Sequence, residues 1–368
     1  MKKTVLVIFG GNSNENEISV ITGTMAINVL KSGGYEVVPF YISQSGKSYT
    51  GEKLADISSF KGGGYKSNTQ AIIGLGGIYA LNKRQKPKKF IKIDVALNCC
   101  HGGFGEGGGV SGACTVAGIP LASADVFESS LFMDKYLTKL ILCSLGVKTA
   151  DYAYVKSMAD LDSCGNMPQF PVIVKPVSLG SSIGVEKAET LEQLKESVEC
   201  ALIYDRAVIV EKYLSNRREI NCAAYFYRDE VIASDCEEAF TGGDILSFDD
   251  KYCGGGKSVM PADIPRDMSQ LIKNTAKTVY SKLNMRGIVR FDFILSEGEV
   301  YLSEVNTVPG SLSYYLLSSG FKDFCFVLDR VIEQAEYDFA AVRGKKLINT
   351  GILENISPHS VKSGGTKL

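Results

Sequence analysis

At 368 residues, 45% of them hydrophobic, the chain has room for two or three domains with real cores. Its formal net charge of −1 gives no electrostatic footprint for nucleic acid or an anionic membrane surface. Only two histidines, His101 and His359, are present, which excludes a histidine-rich metal centre, and no apolar run is long enough to span a bilayer.

In chain order, Val5–Phe9 reads as a buried strand, and Gly10-Gly11 follows too soon for a signal peptide. Asn14 and Glu17 have capping-box spacing for a helix running to about Lys31. Glu36–Ile42 is a second strand. Residues 51–92, rich in glycine and lysine with weak periodicity, read as an irregular insertion. Ile93–Cys99 is a further strand, ending at His101-Gly-Gly-Phe-Gly-Glu106-Gly-Gly-Gly109. Strand, glycine loop and helix repeated in this way imply a parallel α/β domain with ligand sites at the strand C-termini, where Glu15 and His101 fall.

A second unit starts near Ala124. Met133-Asp134-Lys135 is read on a helix running to Leu145, followed by the strand VIVKP, the loop GSSIG, a helix over Leu191–Tyr204 and a strand Ala207–Lys212. Strands near Glu219–Tyr227 and Val231–Asp235 precede a long loop, residues 237–263, with three consecutive glycines. A helix near Met268–Leu283 leads to two more strands. Ten cysteines without a Cys-x-x-Cys pair fit reduced, mostly buried thiols and a cytoplasmic location.

Chemistry is densest in those last two strands. Arg290-Phe-Asp292 and Ser303-Glu304-Val-Asn306 flank the short turn at Glu297-Gly298. Alternation puts Glu304 and Asn306 on one face, with Asp292 on the neighbouring strand able to join them. Two carboxylates and an amide oxygen, without His or Cys, suit Mg²⁺, which commonly carries nucleotide phosphates as its other ligands. ATP is therefore the expected co-substrate. Lys175, ending an apolar strand, either snorkels to solvent or faces a phosphate. The glycine-rich loop after it offers N–H groups to phosphate oxygens, although the P-loop pattern is absent. Glu211-Lys212-Tyr213-Leu214 is either a solvated edge or an adenine pocket, with Glu219 holding ribose hydroxyls. Glu15 and Glu17 in a first helical turn need no function beyond complementing the helix dipole.

Taken together, GGNSNENEIS, HGGFGEGGG, SSLFMDKYLTK, FPVIVKPVSLGSSIGV, VEKYL, the Lys251-Tyr252 pair and EVNTVPG occur in fixed order. In this the chain resembles the D-alanine–D-alanine ligase family of the ATP-grasp superfamily, from Val5 to about Tyr315. The resemblance implies a three-domain α/β fold: an N-terminal substrate-binding domain (1–123), a central ATP-grasp subdomain (124–215) and a C-terminal ATP-grasp and metal-binding domain (216–368) with a lid at 237–263. It implies ATP contacts at Lys135, Lys175, Glu211, Lys212, Leu214 and Glu219, and Lys251 at the γ-phosphate. Two Mg²⁺, replaceable by Mn²⁺, would sit on Asp292, Glu304 and Asn306. Glu15 would bind the first substrate's ammonium, joined by Ser181 and Tyr252 in a hydrogen-bonded lid. Arg290 would stabilise the tetrahedral intermediate, His101 and Glu106 would lie beside the first substrate, and Gly310 and Tyr315 would lie at the second. The expected reaction is ATP-dependent joining of two D-amino acids through an acyl phosphate, for a peptidoglycan precursor, in a cytoplasmic homodimer.

Three departures from the family pattern stand out. Glu106 is followed by Gly107-Gly108 without the usual aspartate, the lid offers Leu246 and Phe248 before its Lys-Tyr pair, and Tyr315 replaces a serine that anchors the acceptor carboxylate. A paralogue joining D-alanine to another D-amino or hydroxy acid is the rival enzyme. Tyr252 favours an amine acceptor by family analogy. A catalytically idle nucleotide-binding protein is the rival of another class, against which the full set of acidic, lysine and arginine residues argues.

Overall fold

The computed structural model describes residues 2–240, 257–346 and 348–355, and builds mixed α/β structure around three sheets. The first contains β1 (Thr4–Gly10), β2 (Glu36–Ile42), β3 (Ser48–Thr50), β4 (Thr69–Gly74), β5 (Gly77–Leu81), β6 (Pro87–Lys92) and β7 (Val95–Asn98), in the order β6-β5-β4-β3-β2-β1-β7. Only β1 pairs in parallel, with β2 and β7. The remaining pairs are antiparallel, so the stretch expected to be irregular instead supplies β4, β5 and β6. Its lysines disguised an edge strand. In β6, Pro87-Lys-Lys-Phe-Ile-Lys is almost wholly exposed, and charge on an edge strand discourages pairing with other chains. The β4–β5 hairpin closes through Leu75-Gly76, where Gly76 takes the positive φ (+70°) of the second central position, as glycine does in a type II turn.

Helix α1 (Asn16–Ser32) follows β1. The cap position is Glu15, not Asn14, and its side chain makes no capping bond; Ser13 Oγ instead accepts the Glu15 N–H at 3.2 Å. This leaves the Glu15 carboxylate to point into the cleft. After α2 (Val110–Ala117), the expected single helix through Met133-Asp-Lys135 is two: α3 (Val126–Met133) and α4 (Lys135–Ser144). Asp134 breaks the run by accepting from Tyr136 N and Leu137 N, the usual geometry of an aspartate N-cap.

The second sheet, β10-β9-β11-β8, is antiparallel throughout. It comprises β8 (Tyr152–Val155), β9 (Val172–Pro176), β10 (Glu186–Ala188) and β11 (Val208–Lys212), with α5 (Met158–Ser163) and α6 (Leu191–Tyr204). Val172, Val174, Val208 and Val210 pack against Leu194, Val198 and Ala201 of α6. Alternation then turns Ile173, Lys175, Ile209 and Glu211 to the opposite face. Far from a solvated edge, β11 is central, and Glu211 is buried.

In the third sheet β15-β14-β12-β16-β17 are neighbours, with β13 also on β12. Its strands are β12 (Arg218–Tyr227), β13 (Glu230–Ala233), β14 (Glu237–Phe240), β15 (Lys257–Val259), β16 (Val289–Ser296) and β17 (Glu299–Asn306). Both described ends of the expected 237–263 loop are thus strands, paired to each other. One face carries Ile220, Cys222, Phe291, Phe293 and Val305 against Ile272, Ala276 and Val279 of α7 (Arg266–Lys282). The other presents Arg290 and Asp292 to the cleft. A short α8 (Tyr314–Leu317) precedes α9 (Phe321–Arg343), a helix for which the sequence reading made no provision. Phe324, Leu328, Val331 and Ile332 of α9 join Val5, Val7, Ala26, Ile27 and Leu30 in one core, so the last long helix completes the packing of the first strand and helix.

Gly287 is where third-unit backbone meets the first. Its φ is +71°, and a Cβ there would lie 2.6 Å from Ser123 Cα and 3.0 Å from Ala124 N. Both positive φ and backbone contact exclude a side chain. Gly287→Ala should destabilise the protein by about 2–4 kcal/mol, read as a fall of several degrees in the apparent melting temperature; an unchanged melting curve would show that the junction gives way freely.

Candidate active site

The three sheets converge on a cleft of ≈ 430 Å³. Its floor is the β16–β17 hairpin, where Arg290 pairs with Asn306 and Asp292 with Glu304 across the strands. The register slips between Asp292 and Phe293, which pairs with Leu302 and leaves Ser303 as the extra residue. Such a bulge re-aims neighbouring side chains. Arg290 grips Asp292 with two bonds, Nε to Oδ1 at 2.6 Å and a terminal nitrogen to Oδ2 at 2.8 Å, and Asn306 Nδ2 donates to Oδ2 at 2.9 Å. A carboxylate has about four acceptor positions, so Asp292 keeps room for one more partner. Asp292, Glu304 and Asn306 all line the cleft. This all-oxygen set fits Mg²⁺ by donor chemistry. Among the described residues no three His, Cys, Asp or Glu cluster tightly enough to form a metal site without the asparagine.

Lys135 lies at the first position of α4. Its ammonium donates to Leu179 O at 2.5 Å and stands 3.9 Å from Glu304, so the helix break at Asp134 sets a cation between the β9 loop and the acidic floor. Lys175 donates to Glu211 at 2.7 Å, and Lys139 approaches the same carboxylate at 3.2 Å. Lys139 is 3% exposed and also donates to Ala150 O. Burial alone would raise the Glu211 pKa, but the two ammonium groups outweigh it and pull it down to about 2. Burial depresses Lys139, against the pull of Glu211. Lys139 was missed because a lysine in a helix otherwise reads as solvated. Lys212 is exposed at the strand end, with its N–H on Asp151 O. Leu214 packs with Ala150 and Ile294. Glu219 is held by Arg217 at 2.9 Å. Glu211, Lys212 and Leu214 border a small annex of the cleft together with Ile173, Ile294 and Tyr301.

At the other end Ser181 donates a short hydrogen bond to Glu15. Gly102 and Gly180 press on this carboxylate: a Cβ at either would come within 2.9 Å of Glu15 Oε2 and push the carboxylate from its place. Glu106 accepts from Gly102 N at 2.8 Å. Burial, then the charge of Glu15, pushes its pKa up to about 8, leaving it protonated at neutral pH. His101 is buried and lines the cleft, yet both ring nitrogens are engaged. Nε2 lies 2.7 Å from Thr22 Oγ1, which itself accepts Ser311 N–H at 3.0 Å, and the other side of the ring meets the Val308 backbone. Burial lowers the His101 pKa to about 4. The neutral ring thus receives the Thr22 hydroxyl at Nε2 and donates from Nδ1 to the Val308 carbonyl. Sequence reasoning missed Thr22, a small polar residue on a helix with no motif around it.

Gly310, Ser311 and Tyr315 also border the cleft. Ser311, Leu312 and Ser313 all have φ near +50°, a run that L-residues adopt only where surroundings force it. The half-buried Tyr315 phenol, its pKa raised by the surrounding protein, is bonded to Arg290. Ser313 is wholly buried, and Ser311 is the serine at the cleft wall. Lys251 and Tyr252, with Leu246 and Phe248, lie outside the described residues. Lys257, Asn221 and Glu237, none of them anticipated, line the cleft beside β14 and β15.

The first part of the chain, residues 4–124, matches the family model described as D-ala D-ala ligase N-terminus, and residues 141–334 match that of the D-ala D-ala ligase C-terminus. The chain belongs to the D-alanine–D-alanine ligase family. It is an ATP-dependent ligase acting on small amino acid substrates. The D-alanine–D-alanine ligase of Thermosipho melanesiensis is 33% identical over 359 residues, covering 95% of this chain and 97% of the relative. That of Thermosipho africanus is 34% identical over 353 residues, with 92% and 94% covered. Among solved structures, the Helicobacter pylori D-alanine–D-alanine ligase superposes with a TM-score of 0.75 at 28% identity, covering 90% of this chain and 98% of the other. The VanG D-Ala:D-Ser ligase of Enterococcus faecalis gives 0.76 at 27% identity, with 91% and 100% covered. Among the described residues, no helix is long and apolar enough to cross a membrane.

His101 makes a pH prediction. Its folded pKa, about 4, lies below the ordinary 6.5. The unfolded chain therefore binds the extra proton, and stability from neutral His101 is present above pH 6.5 and lost as pH falls toward 4. Replacing it by glutamine removes this dependence, worth about 3 kcal/mol at most. The gap in unfolding midpoint between parent and His101→Gln should narrow from pH 7 to pH 4; a constant gap would mean that the ring is not buried neutral.

Proposed function

We propose that the protein joins two D-alanine molecules through a D-alanyl phosphate, releasing ADP and phosphate and supplying a peptidoglycan precursor. What carries this reading is one cleft holding a carboxylate–serine pair at one end, an apolar annex with lysines at the other, and an acidic floor with an arginine between. The donor's ammonium pairs with Glu15, held by Ser181. Its carboxylate oxygen attacks the γ-phosphorus and ADP leaves. The acceptor's amine then attacks the acyl carbon, phosphate leaves, and the proton lost from nitrogen departs with it or to solvent. Lys135 and Lys175 offset phosphate charge, and Arg290 stabilises the oxyanion. Asp292, Glu304 and Asn306 would hold Mg²⁺, which supplies charge neutralisation for the transferring phosphoryl group. Lys251 at the γ-phosphate and Tyr252 in the donor lid remain part of the reading by resemblance, as does closure of the segment carrying them.

Glu211, Lys212, Leu214 and Glu219 form the adenosine end of the same reading, and His101 and Glu106 brace the donor end. The strands of the three sheets fall within 1–123, 124–215 and 216–368, which supports that division into domains. A homodimer and a cytoplasmic location complete the reading. The location fits ATP use and the nine described cysteines, all of them free.

At the acceptor site the phenol of Tyr315, tied to Arg290, fits a ligand for the acceptor carboxylate, with Gly310 and Ser311 beside it. A D-serine acceptor is the second reading, favoured by the phenol that Tyr315 brings to the cleft, a hydrogen-bond partner for a serine hydroxyl, and by likeness to a D-Ala:D-Ser ligase.

The defining experiment is mass spectrometry of products from ATP, Mg²⁺ and single or paired D-amino acids; ADP release without any dipeptide would overturn the reading. Asp292→Asn should lower turnover roughly a hundredfold or more while circular dichroism stays unchanged. Activity near the parent's, with the same Mg²⁺ dependence, would remove Asp292 from the metal site. Tyr315→Phe should raise the acceptor KM about tenfold, the loss of one hydrogen bond to a charged group, and leave the ATP KM alone. An unchanged acceptor profile would make Tyr315 packing only.

A further inference from the structure

Arg217 is a charged residue in the cleft to which the reading above gives no task. Its side chain is 12% exposed and one terminal nitrogen pairs with Glu219. Its Nε–H is buried without a hydrogen-bond partner among the described residues. Guanidinium nitrogens always carry protons and cannot shed the donor, and leaving a buried donor unmet is costly. The feature therefore asks for an acceptor from outside the protein.

Position says what that acceptor is. Arg217 borders both the main cleft and its annex. The annex, small as it stands at ≈ 10 Å³, sets Leu214, Ile173 and Ile294 beside Glu211 and Lys212, on the side that the reading above gives to adenine. The main cleft, with Lys135, Lys175 and the acidic floor, suits phosphates and their metal. The junction between them belongs to the sugar. Glu219 at that level agrees, since a carboxylate repels phosphate oxygens but accepts from hydroxyls.

We propose that Arg217 is a nucleotide-binding residue whose Nε–H donates to a ribose hydroxyl of ATP while its terminal nitrogen holds Glu219 against the same sugar. This rests on ATP being the co-substrate. Arg217 then acts twice, once on the ligand directly and once by fixing the carboxylate beside it.

The test compares ATP, 2′-deoxy-ATP and 3′-deoxy-ATP by calorimetry on the parent, Arg217→Met and Arg217→Lys. Arg217→Lys keeps the charge beside Glu219 but has no donor at the Nε position, and it guards against a methionine variant that misfolds. Both variants should bind ATP roughly tenfold more weakly, yet lose less than about threefold toward one of the deoxy nucleotides, where the acceptor is already missing. Equal losses for all three nucleotides, or no loss for ATP, would overturn the assignment. In a Glu219→Gln background Arg217→Met should still cost affinity; if it costs nothing, Arg217 acts through Glu219 alone and the direct bond is overturned. A parent that binds no ATP at all would overturn the ATP reading along with this one, and is told apart from failure of Arg217 alone by the parent's own titration.

Discussion

The cleft is held together by charge compensation without water. Its ionised groups sit where solvation is poor, so each must find its counter-charge in the protein: Asp292 in Arg290, Glu211 in Lys139 and Lys175, Glu219 in Arg217. Taking an ion out of water costs several kcal/mol, roughly, unless a partner and further hydrogen bonds replace the solvent. The pairing follows from strand alternation. Each sheet gives one face of apolar side chains to a helix and turns its charged positions, with Ile173 and Ile294 among them, toward the cleft. Those positions then have no choice but to meet one another.

This pairing makes substrate binding an exchange. In the proposed reaction Lys175 would reach a phosphate only by sharing or leaving Glu211, and Lys139 would remain to keep that carboxylate compensated. The Glu211–Lys139 contact is therefore what frees Lys175 for a ligand at small cost. Arg290 stands in the same relation to Asp292. A metal ion beside Asp292 would take over neutralising its charge, and the guanidinium would turn toward the developing oxyanion. On the reading proposed above, these pairs store cations next to the places where phosphate and oxyanion charge would arrive, which is the preorganisation electrostatic catalysis needs.

Much of this was legible in the sequence because strand pattern and chemistry coincide there. The periodicities of VIVKP, VIVEK, RFDF and EVN determined both the strands and the face on which Lys175, Glu211, Asp292 and Asn306 emerge. The misreadings arose where chemistry and pattern part. Residues 51–92 lack an apolar face because their strands extend a sheet edge into solvent. Asp134 resembled an interior helix residue because its capping bonds are made to the helix that follows it. Lys139, Thr22 and Arg217 were invisible because a single polar residue acquires meaning only from what the fold sets beside it, and those partners lie 72, 79 and 2 positions away in Glu211, His101 and Glu219. Arg217 has its partner close in sequence, yet its orphaned Nε–H is a property of the packed cleft.

The donor and acceptor ends are tied together through α1. Thr22 on that helix takes the Ser311 N–H and meets His101, whose far side rests on Val308. The glycine loop after β7 and the Asn306–Gly310 segment after β17 therefore share one brace, although they belong to different sheets. The run of positive φ from Ser311 to Ser313 is held in place by that bond and by Leu312 in the core beneath. Because His101 is neutral and its hydrogen bonds are directional, the brace has one arrangement, with the hydroxyl of Thr22 toward Nε2 and the ring N–H toward Val308. Protonating the ring would make Nε2 a donor, so the Thr22 hydroxyl would have to turn its own proton away and accept this N–H beside that of Ser311. The same burial that keeps His101 neutral at physiological pH thus fixes the orientation of the loop that bears Gly310 and leads to Tyr315, and with it the spacing between the Glu15 carboxylate and the Tyr315 phenol, the two groups proposed above to receive the two amino acids.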